Sequence, residues 1–513
     1  MLKSKTAAKN SHVLQHYRTD CVAKLLLRLR LSRDSVDQDV IRGSGRMMGR
    51  RERGQGQFFY AFDLDKVVPP DHLVRQIDGV LDLDWVHKEL APYYWHTGRP
   101  SIDPVLMIRM LIVGYVFAIR SERRLCSEVQ VNLAYRWFCQ LGIEDGVPDH
   151  SVFSRARHER FRQSDALRRV FEGVVAKCIA AGLVGGEGFS IDASLIRADA
   201  GKKKRVPGNQ PIAWPRAEEA SRAVREYFAA LDAARNDEET GGGDGGSNGS
   251  GNRSKPPKEV SLTDPQAAWV ARKGTDPFFA YDANYLIDNK AGIIVDAEGT
   301  RANRIAEIAV TETMIERVKE RFDLRPRRLA ADTAYGAARL LKWLVDRGIT
   351  PHIPVWDKSA RADGTFSRAD FIFDHERNIY ICPGGAKLTS TGNIDQGRIV
   401  YYRANKNDCS TCSLKPKCTT AVVRKVTRDL DEEVRESVRA LANTDAFQQS
   451  RRERKKIEMR FAHMKRILKL DRLRLRGLSG AKDEVLLTAM AQNLRRLAKF
   501  LCRAPPTPLP CAA

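Results

Sequence analysis

Three acidic residues, far apart in the chain, sit where a carboxylate can do chemistry. Asp192 lies in Phe189-Ser190-Ile191-Asp192-Ala193-Ser194-Leu195, whose apolar and polar positions alternate with the two-residue period of a strand. Asp332 follows a second short strand, Arg328 to Ala331, just before a helical pattern, and ligands gather at strand ends in open α/β sheets. Glu458 lies on a helix predicted from Arg451 to Lys469, with Ile457, Phe461, Met464 and Leu468 as its apolar stripe. At about 100° per residue, Arg454, Glu458 and Lys465 fall within about 40° of one another beside that stripe. Each acid also has a plainer reading. An aspartate at a strand end or turn often serves as a cap, and Arg454 with Glu458, four apart, makes an ordinary surface ion pair. In the chemical reading, a carboxylate holds a metal ion over a phosphate backbone while neighbouring cations grip adjacent phosphates.

A second group is built of thiols. Cys409-Ser410-Thr411-Cys412 is followed by Cys418, and Cys382 lies upstream in Ile381-Cys382-Pro383-Gly384-Gly385. Four such residues fit a tetrahedral structural zinc site, or four reduced cysteines packed in an insertion; the Cys418 spacing is looser than in the usual knuckle. Ten cysteines in a long chain whose start carries no export signal point to reduced thiols and a cytoplasmic protein. The histidines show no zinc-protease spacing, and there is no phosphate-binding Gly-Lys-Ser/Thr loop.

The elements that must position these groups fall into two parts. Residues 1–56 are basic and aperiodic, and are expected to be a partly disordered extension. Residues 57–165 read as an all-helical domain: a helix beginning at Pro69-Pro70-Asp71, one from Pro104 to Ile119, one from Ser121 to Leu141, and a short one from Val152 to Phe161 after the Pro148 turn. Arg155, Arg157 and Arg160 on that last helix face either solvent or a DNA groove. Residues 166–475 read as α/β. Strands are expected at Phe189–Leu195, Phe279–Ile287, Ile293–Val295, Arg328–Ala331 and Ile349–Val355, with a hairpin turn at Asp288–Gly292 and helices around Ile308–Phe322 and Ala337–Val345, giving a mixed sheet with helices packed on it. Insertions interrupt this order at about 201–262, with a Gly-rich linker from Thr240 to Asn252, and at about 356–444, where the cysteines cluster. Residues 476–513 are expected to be a basic C-terminal helix and tail.

Charge narrows the function classes. The chain has 87 Lys+Arg against 64 Asp+Glu, a net +23, which self-repels unless a polyanion is the partner. Between Arg451 and Phe500 stand 16 Lys+Arg and 5 Asp+Glu. Double-stranded DNA is the expected partner, with Arg451 and Lys469 as further phosphate contacts. A membrane span is not expected, because Arg109 interrupts the apolar run from Pro104 to Ile119, which is short for a bilayer.

Taken together, the motifs resemble those of bacterial insertion-sequence transposases of the DDE class, in the branch marked by a Tyr, Arg, Glu, Lys signature. Arg454, Glu458 and Lys465 match its last three positions; Arg451 stands where the tyrosine would be. Phe189 to Ser194 and Ala331 to Gly336 are similar to the segments around the family's two aspartates. Gly98 to Pro104, Tyr135 to Phe138 and Val147 to Ser151 are similar to its helical domain. The resemblance runs from about Gln57 to Leu475 and implies a ribonuclease-H-like mixed sheet with flanking helices, preceded by an all-helical N-terminal domain. It implies binding to the terminal inverted repeats of a mobile element, strand cleavage and strand transfer, with a homodimer on DNA near the nucleoid. Asp192, Asp332 and Glu458 would hold Mg²⁺ or Mn²⁺, aided by Arg454 and Lys465; two such ions about 4 Å apart serve in-line phosphoryl displacement. Two rival readings are an inactive transposase-derived DNA-binding protein and a metal-dependent nuclease without strand transfer.

Overall fold

The computed structural model describes residues 62–94, 101–240, 257–272, 274–355, 364–395 and 398–502. The expected N-terminal extension, most of the Gly-rich linker and the C-terminal tail lie outside them. Contacts divide the chain between Phe62 and Asp63, and the elements named below belong to the second unit.

Short helices at Leu64–Val67, Leu73–Asp78 and Trp85–Leu90 lead to α1 (Pro104–Val116). Asp103 caps α1 by accepting the Val105 N–H at 2.7 Å, with Pro104 at the first position. α1 is buried nearly all round, and its Arg109 is held by the Phe138 carbonyl at 2.8 Å and Asp78 at 2.5 Å. The single helix expected from Ser121 to Leu141 is two, α2 (Glu122–Val131) and α3 (Leu133–Phe138). Asn132 leaves the helical region at φ −96°, ψ 114° and caps α3 through the Ala134 and Tyr135 N–H groups, so a capping side chain wins over a continuous pattern. α4 (His150–Ala156), capped by Asp149, runs into one wider turn to Phe161, and α5 (Ala166–Ala180) follows.

The main sheet is mixed. β1 (Gly188–Arg197) pairs antiparallel with β5 (Thr275–Asp288), and β5 with β6 (Ile293–Arg301). On its other edge β1 pairs in parallel with β7 (Arg328–Ala330), which pairs in parallel with β8 (Thr350–His352). The β5–β6 hairpin turns at Asp288, whose side chain accepts the Lys290 N–H at 2.8 Å and those of Gly185 and Gly186 at 3.0 and 2.8 Å. α7 (Arg304–Phe322) crosses from β6 to β7 and α8 (Ala338–Asp346) from β7 to β8.

Both insertions hold more structure than their composition suggested. The first contains β2 (Arg205–Pro207) paired with β3 (Glu259–Ser261), and α6 (Arg222–Thr240); β4 (Ala268–Arg272) then extends the main sheet beside β5. The second is a lobe with a core of its own around Phe371, Tyr380, Leu388, Tyr402 and Val426. It is a five-stranded antiparallel sheet in the order β13 (Lys425–Asp429), β12 (Ile399–Ala404), β11 (Lys387–Asp395), β10 (Ile379–Ile381), β9 (Ile372–Asp374), followed by α9 (Glu432–Leu441).

α10 (Asp445–Arg466) lies across β1, and α11 (Gly477–Leu501) closes the unit. α11 begins where the basic C-terminal helix is expected; its Val485, Leu487, Met490, Leu494 and Leu497 are buried, and it packs on β6, α1 and α5. Asn493 bonds both the N–H and the carbonyl of Ile294, at 3.0 and 2.7 Å.

Candidate active site

Register brings the two aspartates together. Ser190 is paired with Ala330 in the parallel ladder, and Asp192 and Asp332 each stand two residues further on, at the same end of adjacent strands. Asp332 is also a cap, accepting the Ala334 N–H at 2.8 Å, so its plainer reading holds beside its position next to Asp192. Asp192 accepts the Ala193 N–H at 2.8 Å. Burial pushes its carboxyl up to about 6; the charges of Asp332 and Glu307 add to the shift, while the Ala193 N–H and Arg454 oppose it.

α10 is fixed over this end of the sheet by side chains on both of its flanks. Tyr285, directly opposite Asp192 on β5, stacks on Phe461 with centroids 4.9 Å apart and reaches the Met464 sulfur at 3.3 Å. Ser450 lies 2.6 Å from His352 Nδ1, and Lys465 Nζ donates to the Leu195 carbonyl at 2.9 Å. Arg454 then bridges two acids, with Nη1 3.4 Å from Asp192 and Nη2 3.1 Å from Glu458. The Arg454–Glu458 ion pair is therefore real, but it is part of a three-residue array. The Glu458 side chain is 55% exposed against 18% for Asp192, so the array opens towards solvent on the helix side. Among the described residues, no three His, Cys, Asp or Glu side chains stand close enough as placed to hold a metal ion. The guanidinium of Arg454 is the cation that balances these carboxylates here.

Two stretches of the chain match models of transposase domains: residues 62–159 match a transposase domain (DUF772), and residues 381–498 a transposase DDE domain. The chain belongs to the DDE-class transposases of insertion sequences. The DDE match contains Arg454, Glu458 and Lys465, while Asp192 and Asp332 lie between the two matches. No curated protein matches the transposase. Among solved structures, the piggyBac transposase in a synaptic complex with hairpin DNA is 10% identical to it. That alignment covers 84% of this chain and 78% of the other at a TM-score of 0.29, too low for a shared fold to be read from it.

Glu307 was not singled out from the transposase sequence, yet it joins the aspartates. It stands in the first turn of α7 and accepts the Tyr335 O–H at 2.9 Å; its charge pushes the Asp192 carboxyl up, and burial and then the Asp332 charge raise its own. The only local signal is Asn303, which caps the helix through the Ala306 N–H. Asp282, buried on β5 and pushed up to about 7 by burial and then by Glu307, adds a fourth acid to that neighbourhood.

The arginines expected to meet DNA separate. Arg155 is exposed, as are Arg451 and Lys469 on and just after α10. Arg157 is not a surface contact: it is 3% exposed and its guanidinium is held by Glu122, because the helix turns this position towards α2. Arg160 packs over the Tyr94 ring at 4.3 Å. The four cysteines line one cavity of the insertion lobe. Cys382 accepts the Ala386 N–H at 3.3 Å through a turn in which Gly385 has φ +80°. Burial raises the Cys418 thiol, and the three other cysteines add to the shift.

Proposed function

We propose that this transposase binds the terminal inverted repeats of its element as a homodimer and cleaves there, and that it joins the freed 3′ ends to target DNA. On this reading it works at the nucleoid, on a ribonuclease-H-like core. Supporting that core is the strand order β6-β5-β1-β7-β8, antiparallel through the first three and parallel through the last two, with a third acid on a following helix. DDE transposases use divalent metal ions, and the residues that would hold them are Asp192, Asp332 and Glu458. Their oxygen donors suit Mg²⁺ or Mn²⁺, which when bound polarises the phosphodiester and acidifies the attacking water. The observation that carries the reading is Arg454, a cation placed between Asp192 and Glu458 where two carboxylates converge. With a metal ion held by those acids, Arg454 would be free to pair with a phosphate. Lys465 acts differently, pinning α10 to β1 through the Leu195 carbonyl.

Glu458→Gln tests this. The amide keeps size and polarity and leaves Ile457, Phe461 and Met464 packed, so DNA binding should persist while Mg²⁺-dependent cleavage is abolished. As half of an exposed ion pair alone, the change would cost at most about 1 kcal/mol of stability and leave chemistry intact. Cleavage near the wild-type rate would overturn the assignment.

We read the four cysteines as ligands of a structural zinc ion on donor chemistry and on their lining one cavity, although as placed they do not stand close enough to hold it. Purified protein should contain about one zinc, and Cys412→Ser should lower its melting temperature. Metal content near zero with unchanged melting returns these residues to plain packing.

A further inference from the structure

The insertion lobe contains a second cavity, of about 860 Å³, that the proposed chemistry does not use. Its wall is rich in guanidinium groups. Glu432, with no exposed surface, takes Arg368, Arg435 and Arg439 at 2.8, 3.0 and 3.0 Å. Glu436 takes Arg428 at 2.9 Å. With Glu433, whose carboxylate stands 4.0 Å from Arg428, three carboxylates thus face four arginines. Asp429 does not restore the balance, since it pairs with Arg398 at 2.9 Å. Arg424, also on the wall, donates to two neutral carbonyls, of Cys418 at 2.8 Å and Phe366 at 3.1 Å.

The donors on this wall are also incompletely used. Arg428 is 5% exposed and stacks over Phe373 at 3.8 Å. Its Nη2 has no hydrogen-bond acceptor, and the Glu433 carboxylate stands 4.0 Å away. The Nε atoms of Arg424 and Arg439 are likewise buried without acceptors. A buried donor left unpaired costs roughly 1–3 kcal/mol, so several on one wall call for a ligand rich in acceptor oxygens and negative charge. Planar guanidinium forks match phosphate in particular.

We propose that this cavity binds a backbone phosphate of the DNA strand on which the transposase acts. The lobe is well placed for it, because it is inserted between β8 and the helix that carries Glu458, and α9 packs on α8 and β8. Unlike the carboxylate array, this site attracts phosphate without a metal. The DNA source of the phosphate follows from membership of the transposase class and not from the roles proposed for Asp192, Asp332 and Glu458.

The test uses the full-length protein with a single-stranded oligonucleotide and a duplex of the same length, titrated over a range of salt, and with inorganic phosphate as competitor. Arg428→Gln and Arg439→Gln should each weaken DNA binding about tenfold and lower the slope of log affinity against log salt by about 1. Glu436→Gln, which removes a competing negative charge, should strengthen binding. Titrations run without divalent metal ions read this site apart from the metal-dependent chemistry proposed at Asp192, Asp332 and Glu458. Phosphate should compete with DNA for the wild type and less for Arg428→Gln. If variants that melt like wild type keep its affinity and salt slope, the proposal fails. It fails equally if phosphate raises the melting temperature while these substitutions leave DNA binding untouched, since the site then takes a free anion. Should the arginine variants not fold, Glu436→Gln decides: affinity at or below wild type overturns the proposal.

Discussion

Asp192 and Asp264 are both carboxyls pushed up to about 6 by burial, yet they differ in what that shift serves. Asp192 stands among other acids with a single arginine opposite, in keeping with the metal-ligand role proposed for it. Asp264 has no exposed surface and accepts the Tyr281 O–H at 2.5 Å, which makes it a structural acid. Its folded-state value lies above the ordinary 3.8, so the folded protein holds this proton more tightly than the unfolded chain does. The contribution to stability is then greatest below about pH 4 and is lost as pH rises through about 6. Asp264→Asn cannot titrate. Whatever fixed offset the amide brings, the stability of the variant relative to wild type should improve across that window, as read by urea melts at several pH values; a constant difference would contradict the assignment. Legibility in sequence follows the same division. Asp192 and Asp332 stood out because strand periodicity places them, and Glu458 because helix geometry groups it with two cations. Glu307 and Asp282 did not, because only the three-dimensional path of α7 and β5 brings them near the aspartates.

At the scale of elements, long periodic segments were legible and short ones were not. β1, β5, α7 and α10 have enough residues for a period to show, whereas β9 and β10 have three each, and the lobe they build was legible only as an insertion with clustered cysteines. The polar face of β1 carries a related lesson. Alternation placed Asp192 away from the apolar residues, but that face is covered by α10, whose Phe461 meets Tyr285. How closely such elements approach can be tested at Gly299 on β6. A Cβ there would lie 2.9 Å from the Ala481 carbonyl carbon and the Lys482 nitrogen, both backbone atoms at the start of α11. Gly299→Ala should therefore destabilise the protein by roughly 1–3 kcal/mol, the usual cost of overpacking, and lower the melting temperature by several degrees. A variant as stable as wild type would mean that α11 is not seated this tightly.

Across the whole molecule, the net charge of +23 marks the partner, while the core sets how the chain can be divided. One hydrophobic cluster runs from Val68 through α1, α5 and the main sheet to Ala498. The sequence suggested a helical domain ending near residue 165 and a basic C-terminal helix and tail as separate segments, and a chain truncated after Arg476 distinguishes that arrangement from a shared core. If α11 were a basic appendage, truncation would leave a folded protein that binds DNA less well. In the structure, however, α11 supplies Val485, Leu487, Met490 and Leu494 to the cluster and Leu497 to a smaller one with Cys178, Leu183 and Ile293. Glu484 holds Arg120 and the N–H groups of Arg474 and Leu475, and Arg495 donates to the Val116 carbonyl at 2.8 Å. Each large apolar side chain uncovered costs roughly 1.5–3 kcal/mol, against a total domain stability of about 5–15 kcal/mol. Removing α11 should therefore abolish cooperative melting and increase protease sensitivity in α1 and α5 as well as at the cut end. Residues 57–165 expressed alone should behave the same way, because α1 would lose its α11 partner. A truncated chain that melts cooperatively near the wild-type temperature would show that the N-terminal helices and the sheet stand without α11, and the two-part reading of the sequence would then be the better one.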